Sequence, residues 1–201
     1  MKRSLTTRRD SATNIVKIAT VVLLSLGSLG IIGGSFFLAK SYSSVDETET
    51  ITDTSRYRAI RHQIWSHQTQ VKHFPTDIPT DASGVRIAYS TAYSQQGSSF
   101  QLRLKQPPQK IKELLSQYRH IAKYKYTGGN TNDHANQTNG VPTTFFYTND
   151  SKEDSFPSTY EILVLDAHHK GSSNFKWNHG DSYGVAIDSS ASEIVYWVEE
   201  W

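Results

Sequence analysis

The chain has 201 residues, a formal net charge of +2 and 20% charged side chains, which leaves room for one ordinary domain with appendages and does not mark it as a receptor for nucleic acid or a strongly acidic polymer. Its 36% hydrophobic content, with eleven Tyr, eight Phe and four Trp, excludes a wholly disordered chain. The absence of cysteine excludes thiol nucleophiles, disulfides, thiolate metal sites and lipidated-cysteine anchors.

The N-terminal stretch 1–17 carries Lys2, Arg3, Arg8, Arg9 and Lys17. Residues 18–39, IATVVLLSLGSLGIIGGSFFLA, then run without a charged side chain. At about 1.5 Å of rise per residue they form a helix of roughly 33 Å, one hydrocarbon thickness. Beyond it a single Lys40 precedes Asp46, Glu47, Glu49 and Asp53. Positive charge stays inside, so the sequence predicts a cytoplasmic basic tail over 1–17, a transmembrane helix over 18–39 and everything after Lys40 outside. The tail's charge is then topogenic and calls for no nucleic-acid partner. The alternative is a cleaved signal peptide and a secreted domain, since Ala39 to Ser41 offers a peptidase small residues; an apolar run longer than the usual h-region of about 7 to 15 residues favours a retained signal-anchor in the bilayer. Gly30 and Gly34 are spaced as GxxxG, a pattern that lets two such helices pack closely as a homodimer.

Residues 40–55, rich in Ser, Thr and acid, read as a solvated linker to an extracytoplasmic domain over 56–201. Tyr57, Ile60, Ile64 and Trp65 then form one stripe of a helix over about 56–70. The prolines of HFPTDIPTDA, 73–82, interrupt regular structure before two strands, VRIAYS at 85–90 and SFQLRLK at 99–105. In the second strand Phe100, Leu102 and Leu104 alternate with Gln101, Arg103 and Lys105, which predicts one dry and one wet face.

Pro107 and Pro108 introduce a second amphipathic helix over 109–123, with Ile111, Leu114, Leu115, Tyr118 and Ile121 along one side. TGGNTNDHANQTNG lacks periodicity and reads as a long flexible surface loop. Strands are expected at 143–148, 160–167, 182–188 and 193–199, the last two as a hairpin. The order of elements predicts an α+β fold: a single transmembrane helix, then one small domain with a mainly antiparallel sheet and two amphipathic helices.

The candidate chemistry gathers in DAHHKGSSNFKWNHGDS, 166–182. Ile162 to Leu165 read as a strand buried on both faces, with Asp166 at its end, where sites often form. Extended geometry puts Asp166 and His168 on one side and His169 on the other, and the following loop can return His179. A carboxylate and two imidazoles are ligands that zinc or iron accepts, so Asp166, His168 and His179 are the candidate metal ligands of a membrane-tethered hydrolase or oxygenase. The spacing is no diagnostic signature, and a wet loop with a turn at Gly171 is the simpler account and the default reading. GDSYG, 180–184, invites comparison with the Gly-Asp-Ser nucleophile block of a lipase family, but a strand follows Ser182 instead of a helix and no histidine lies downstream. Asn136-Gln137-Thr138 and Asn149-Asp150-Ser151 match the glycosylation acceptor pattern, which matters in a eukaryotic secretory host.

The exterior part balances its acids and bases, and Trp177, Trp197 and Trp201 are aromatic groups of the kind that stack on sugars or anchor a protein when exposed. The first expectation is a single-pass membrane protein with a non-catalytic extracytoplasmic domain. Its partners would be the bilayer and an envelope protein or glycan, with no cofactor and no nucleic acid.

Overall fold

The computed structural model describes residues 49–51, 53–65, 67–90, 97–129, 134–151, 153–171 and 176–201. The basic tail, the apolar run 18–39 with Gly30 and Gly34, and the first part of the linker lie outside these residues. Among the described residues no helix is long and apolar enough to cross a membrane. Thr48–Trp201 group by their contacts as one unit.

That unit is an α+β domain. Its strands are β1 (Glu49–Ile51), β2 (Ser83–Ser90), β3 (Ser98–Lys105), β4 (Tyr124–Thr127), β5 (Glu161–His169), β6 (Gly180–Asp188) and β7 (Glu193–Glu200). They lie in the order β1-β2-β3-β7-β6-β5-β4 with every pair antiparallel. The chain builds three strands, crosses to the far edge, and returns so that its last strand closes between β3 and β6. The crossing is made by helix α2 (Pro108–Ile121), which begins on Pro108 at its first turn and ends where Ala122 becomes extended.

Alternation decides which side of the sheet is apolar. Phe100, Leu102 and Leu104 of β3, Val185 and Ile187 of β6, and Ile194, Tyr196 and Val198 of β7 all join one core cluster. Onto it pack Ile111, Leu114 and Tyr118 of α2. Helix α1 adds Tyr57 and Ile60: its α-helical turn, Tyr57–Ala59, follows a 3-10 turn at Thr54–Arg56 and leads into a π turn at Ile60–Ile64. The chain after α1 contributes Trp65, Val71 and Phe74, whose ring stacks on Phe100 with centroids 4.7 Å apart.

The second side departs from the sequence reading. Gln101 and Arg103, expected on a wet face, are buried and half-buried beneath the connection between β4 and β5. Residues 143–148, expected as a strand, cross this face without entering the sheet: side chains take Phe145 O and both backbone groups of Thr148, and Phe146 bonds Asp154 O and Asn149 N. Gln101 Nε2 donates to Phe145 O at 2.8 Å, and Gln101 Oε1 accepts from Thr148 N at 3.0 Å and Thr148 Oγ1 at 2.7 Å. A glutamine amide thus stands in for a neighbouring strand. Phe146 is then free to stack on Phe156 at 4.4 Å and to join Tyr160, Ile162, Ala186 and Val195 in a second core.

Three further differences have local causes. The helix expected over 56–70 stops at Trp65, which turns extended, enters the core beside Phe100 and leaves its carbonyl to Gln68 Nε2 at 2.6 Å. The linker expected over 40–55 holds β1 and the start of α1, since Glu49–Ile51 pair with Ile87–Tyr89. The loop expected to be flexible is tied down where His134 is buried, stacks on Tyr126 at 4.1 Å and bonds Thr143 Oγ1 through Nδ1 at 3.1 Å.

Candidate functional site

β5 starts as the apolar run of Ile162 to Leu165, with Leu163 in the helix-side core and Ile162 and Val164 on the opposite side. Its pairing with β6 shifts register between Val164 and Asp166, after which Asp166 opposes Tyr183 and His168 opposes Asp181. This bulge lies beside Gly184, where a Cβ would fall 2.3 Å from Leu163 O, so only glycine lets the two strands approach. Beyond it the strand carries its acid and histidines out of the core.

Asp166 and His168 meet, with Asp166 Oδ2 3.5 Å from His168 Nε2. Lys123 Nζ sits 2.6 Å from Asp166 Oδ1. On the other side His168 Nδ1 is 2.9 Å from Asp181 Oδ1, and Lys170 Nζ is 3.2 Å from Asp181 Oδ2. Asp181 is buried while His168 and both lysines are exposed. The arrangement alternates in charge from Lys123 through Asp166, His168 and Asp181 to Lys170. A cation seated here would have to displace an ammonium from each carboxylate.

The neighbour of His168 across the strands is Asp181, not His179. His179 is exposed and precedes β6, and its carbonyl accepts from Lys170 N at 2.7 Å. Among the described residues no group of three His, Asp or Glu side chains is arranged to hold a metal ion. Ser182 is fully buried within β6 rather than displayed on a turn.

His169 lies edge-on to Trp177, with ring centroids 5.8 Å apart. Trp177 is 6.3 Å from Trp201, whose Nε1 donates to Trp177 O at 2.7 Å. Trp201 also exchanges both backbone bonds with Gly180, each at 3.0 Å, which fixes its position. Trp177 and Trp201 remain half-buried at this end of the sheet, while Trp197 is fully buried in the core. The ladder of charge runs along the ends of β5 and β6, and the aromatic pair stands at the same end of the sheet, Trp177 in the turn before β6 and Trp201 just after β7.

Two half-buried titratable residues with enclosed polar atoms, His73 Nδ1 and Glu199 Oε2, escaped the sequence reading. His73 Nε2 lies 2.9 Å from Gly184 O and 3.2 Å from Trp197 O, which face each other across β6 and β7. Burial pushes its pKa down to about 4 despite those bonds. On the opposite side Glu199 Oε1 accepts from Tyr147 Oη at 2.7 Å, and burial pushes its pKa up to about 7 against the hydrogen bond of Tyr147 and the polar Thr144 nearby. No local pattern marks either residue. His73 opens a proline-interrupted stretch, and Glu199 looks like the solvated end of a strand.

Comparisons with family models, with curated proteins and with solved structures find no match to this chain. The fold and its site therefore define a class only at the level of an α+β domain with a charged and aromatic patch at one end of its sheet.

Proposed function

We propose that the protein is a single-pass membrane protein, its N-terminus in the cytoplasm and its α+β domain outside, and that the domain works by binding an envelope protein or glycan. One observation carries this reading: the uncharged run 18–39 has Lys2, Arg3, Arg8, Arg9 and Lys17 before it and acidic residues after it. Binding is supported by the half-buried Trp177 and Trp201, which offer rigid aromatic surface beside exposed His168, Lys170 and Lys123. Aromatic rings flanked by polar groups suit sugar rings and the side chains of a protein partner.

Adding protease to intact cells tests the topology. A tag on the N-terminus should stay protected while the domain is digested. Digestion of the tag with the domain left intact would overturn the reading. A soluble product beginning near Ser41 would instead establish the secreted form. Crosslinking in native membranes then identifies what the domain touches.

A further inference from the structure

We infer that Glu199 is a protonation-controlled latch for residues 143–150: a neutral carboxyl keeps this segment closed on the sheet, and ionisation loosens it.

The inference begins with how the segment is held. It makes no strand ladder. Phe146 anchors it in the second core and donates its N–H to Asp154 O, and around that anchor side chains hold it: the Gln101 amide, Arg103 Nη1 on Thr148 O at 2.9 Å, the pair of Arg86 and Arg103 on Asp150, and Tyr147 Oη on Glu199. Such a segment can loosen without breaking a β-sheet bond. Phe145, 44% exposed, already faces solvent in its middle.

The surroundings of the Glu199 carboxyl make its charge costly. Across the register stand Ser182 of β6 and Ser99 of β3, both buried. Glu199 Oε2 and Ser182 Oγ are buried without a hydrogen-bond partner. Thr144 and Tyr147 face the carboxyl from the segment, and Asp154 acts on Tyr147. Arg103, further along β3, is committed to Glu193 and Asp150, while Glu200 is engaged with His67. No described cation is among the groups acting on Glu199. A buried carboxylate without a cation either takes a proton or moves to water. Here the cover over it is a segment held to the sheet by side chains instead of a strand ladder, so moving to water means loosening that cover around Tyr147. The raised pKa of Glu199, about 7, places the transition near neutrality.

Hydrogen exchange on the full-length chain in detergent tests this. Protection factors, which remove the intrinsic pH dependence of exchange, should fall about tenfold for 143–150 between pH 6 and pH 8 while those of α2 stay constant. Glu199→Gln should abolish the pH dependence and hold the segment protected at both pH values. Tyr147→Phe should lower protection at pH 6 toward the level at pH 8. A flat profile in the unmodified protein overturns the latch, as does a pH-dependent profile that survives in a folded Glu199→Gln chain. If that variant does not fold, an NMR titration of the Glu199 carboxyl decides: titration near pH 7 in step with the loss of protection supports the latch, and titration in the ordinary carboxylate range overturns it.

Discussion

Burial ties the ionisation of His73 to folding. Its folded pKa of about 4 lies below the ordinary 6.5, so the unfolded chain takes up the proton first as pH falls. The stability of the neutral form is full above pH 6.5 and is lost progressively toward pH 4, by about 3 kcal/mol at most. Glu199 runs the other way. Its pKa is raised from 4.5 to about 7, so its contribution is full below pH 4.5 and is lost as pH rises through 7. The two effects oppose each other between pH 4.5 and 6.5, where a single titration curve would hide both. Urea unfolding at several pH values separates them. His73→Gln keeps a donor for Gly184 O and Trp197 O, and should flatten the acid loss of stability below pH 6; an unchanged slope would remove His73 from the account.

Among the elements, α2 shows how a periodic stripe becomes a packed face. Ile111, Leu114 and Tyr118 are buried and Leu115 is partly so, while Ile121 at the end of the stripe is 51% exposed because the helix stops there. Leu114→Ala should therefore destabilise by about 2 to 4 kcal/mol, whereas Ile121→Lys should change stability by no more than about 0.5 kcal/mol. Denaturant unfolding of both variants checks the contrast, and equal losses would place Ile121 in the core. The period of two in Phe100, Leu102 and Leu104 made β3 equally legible. What it could not convey is that Gln101, on the other side of that strand, serves a segment more than forty residues later. The composition of TTFFYT suits a strand, yet a strand needs a neighbouring backbone, and Gln101 has taken that place. β4 was missed for the opposite reason: Tyr124–Thr127 is short, contains a lysine and borrows its order from β5. At the site, the approach of Asp166 to His168 follows from strand geometry, whereas Asp181 opposite His168 follows from a bulge that no sequence rule announces.

At the scale of the molecule, the sheet of the described residues consists of two meanders, β1-β2-β3 and β4-β5-β6, whose strands pair across β7. β7 pairs with β3 along Ser98–Lys105 and with β6 along Asp181–Asp188, and places Ile194, Tyr196 and Val198 in the helix-side core. A chain ending at Asp188 would keep both meanders and lose what joins them, leaving β3 and β6 as open edges with apolar faces. Such a chain should collect in aggregates, where the full chain is recovered folded; sedimentation of the two products compares them directly.

That keystone position sets the order of events during synthesis. Six of the described strands are made before β7, the strand that pairs with both β3 and β6. Until Glu193–Glu200 arrive the two halves are sticky strangers, exposed to each other's wrong pairings and to those of neighbouring chains. Once Glu193–Glu200 are in place between β3 and β6, that risk ends.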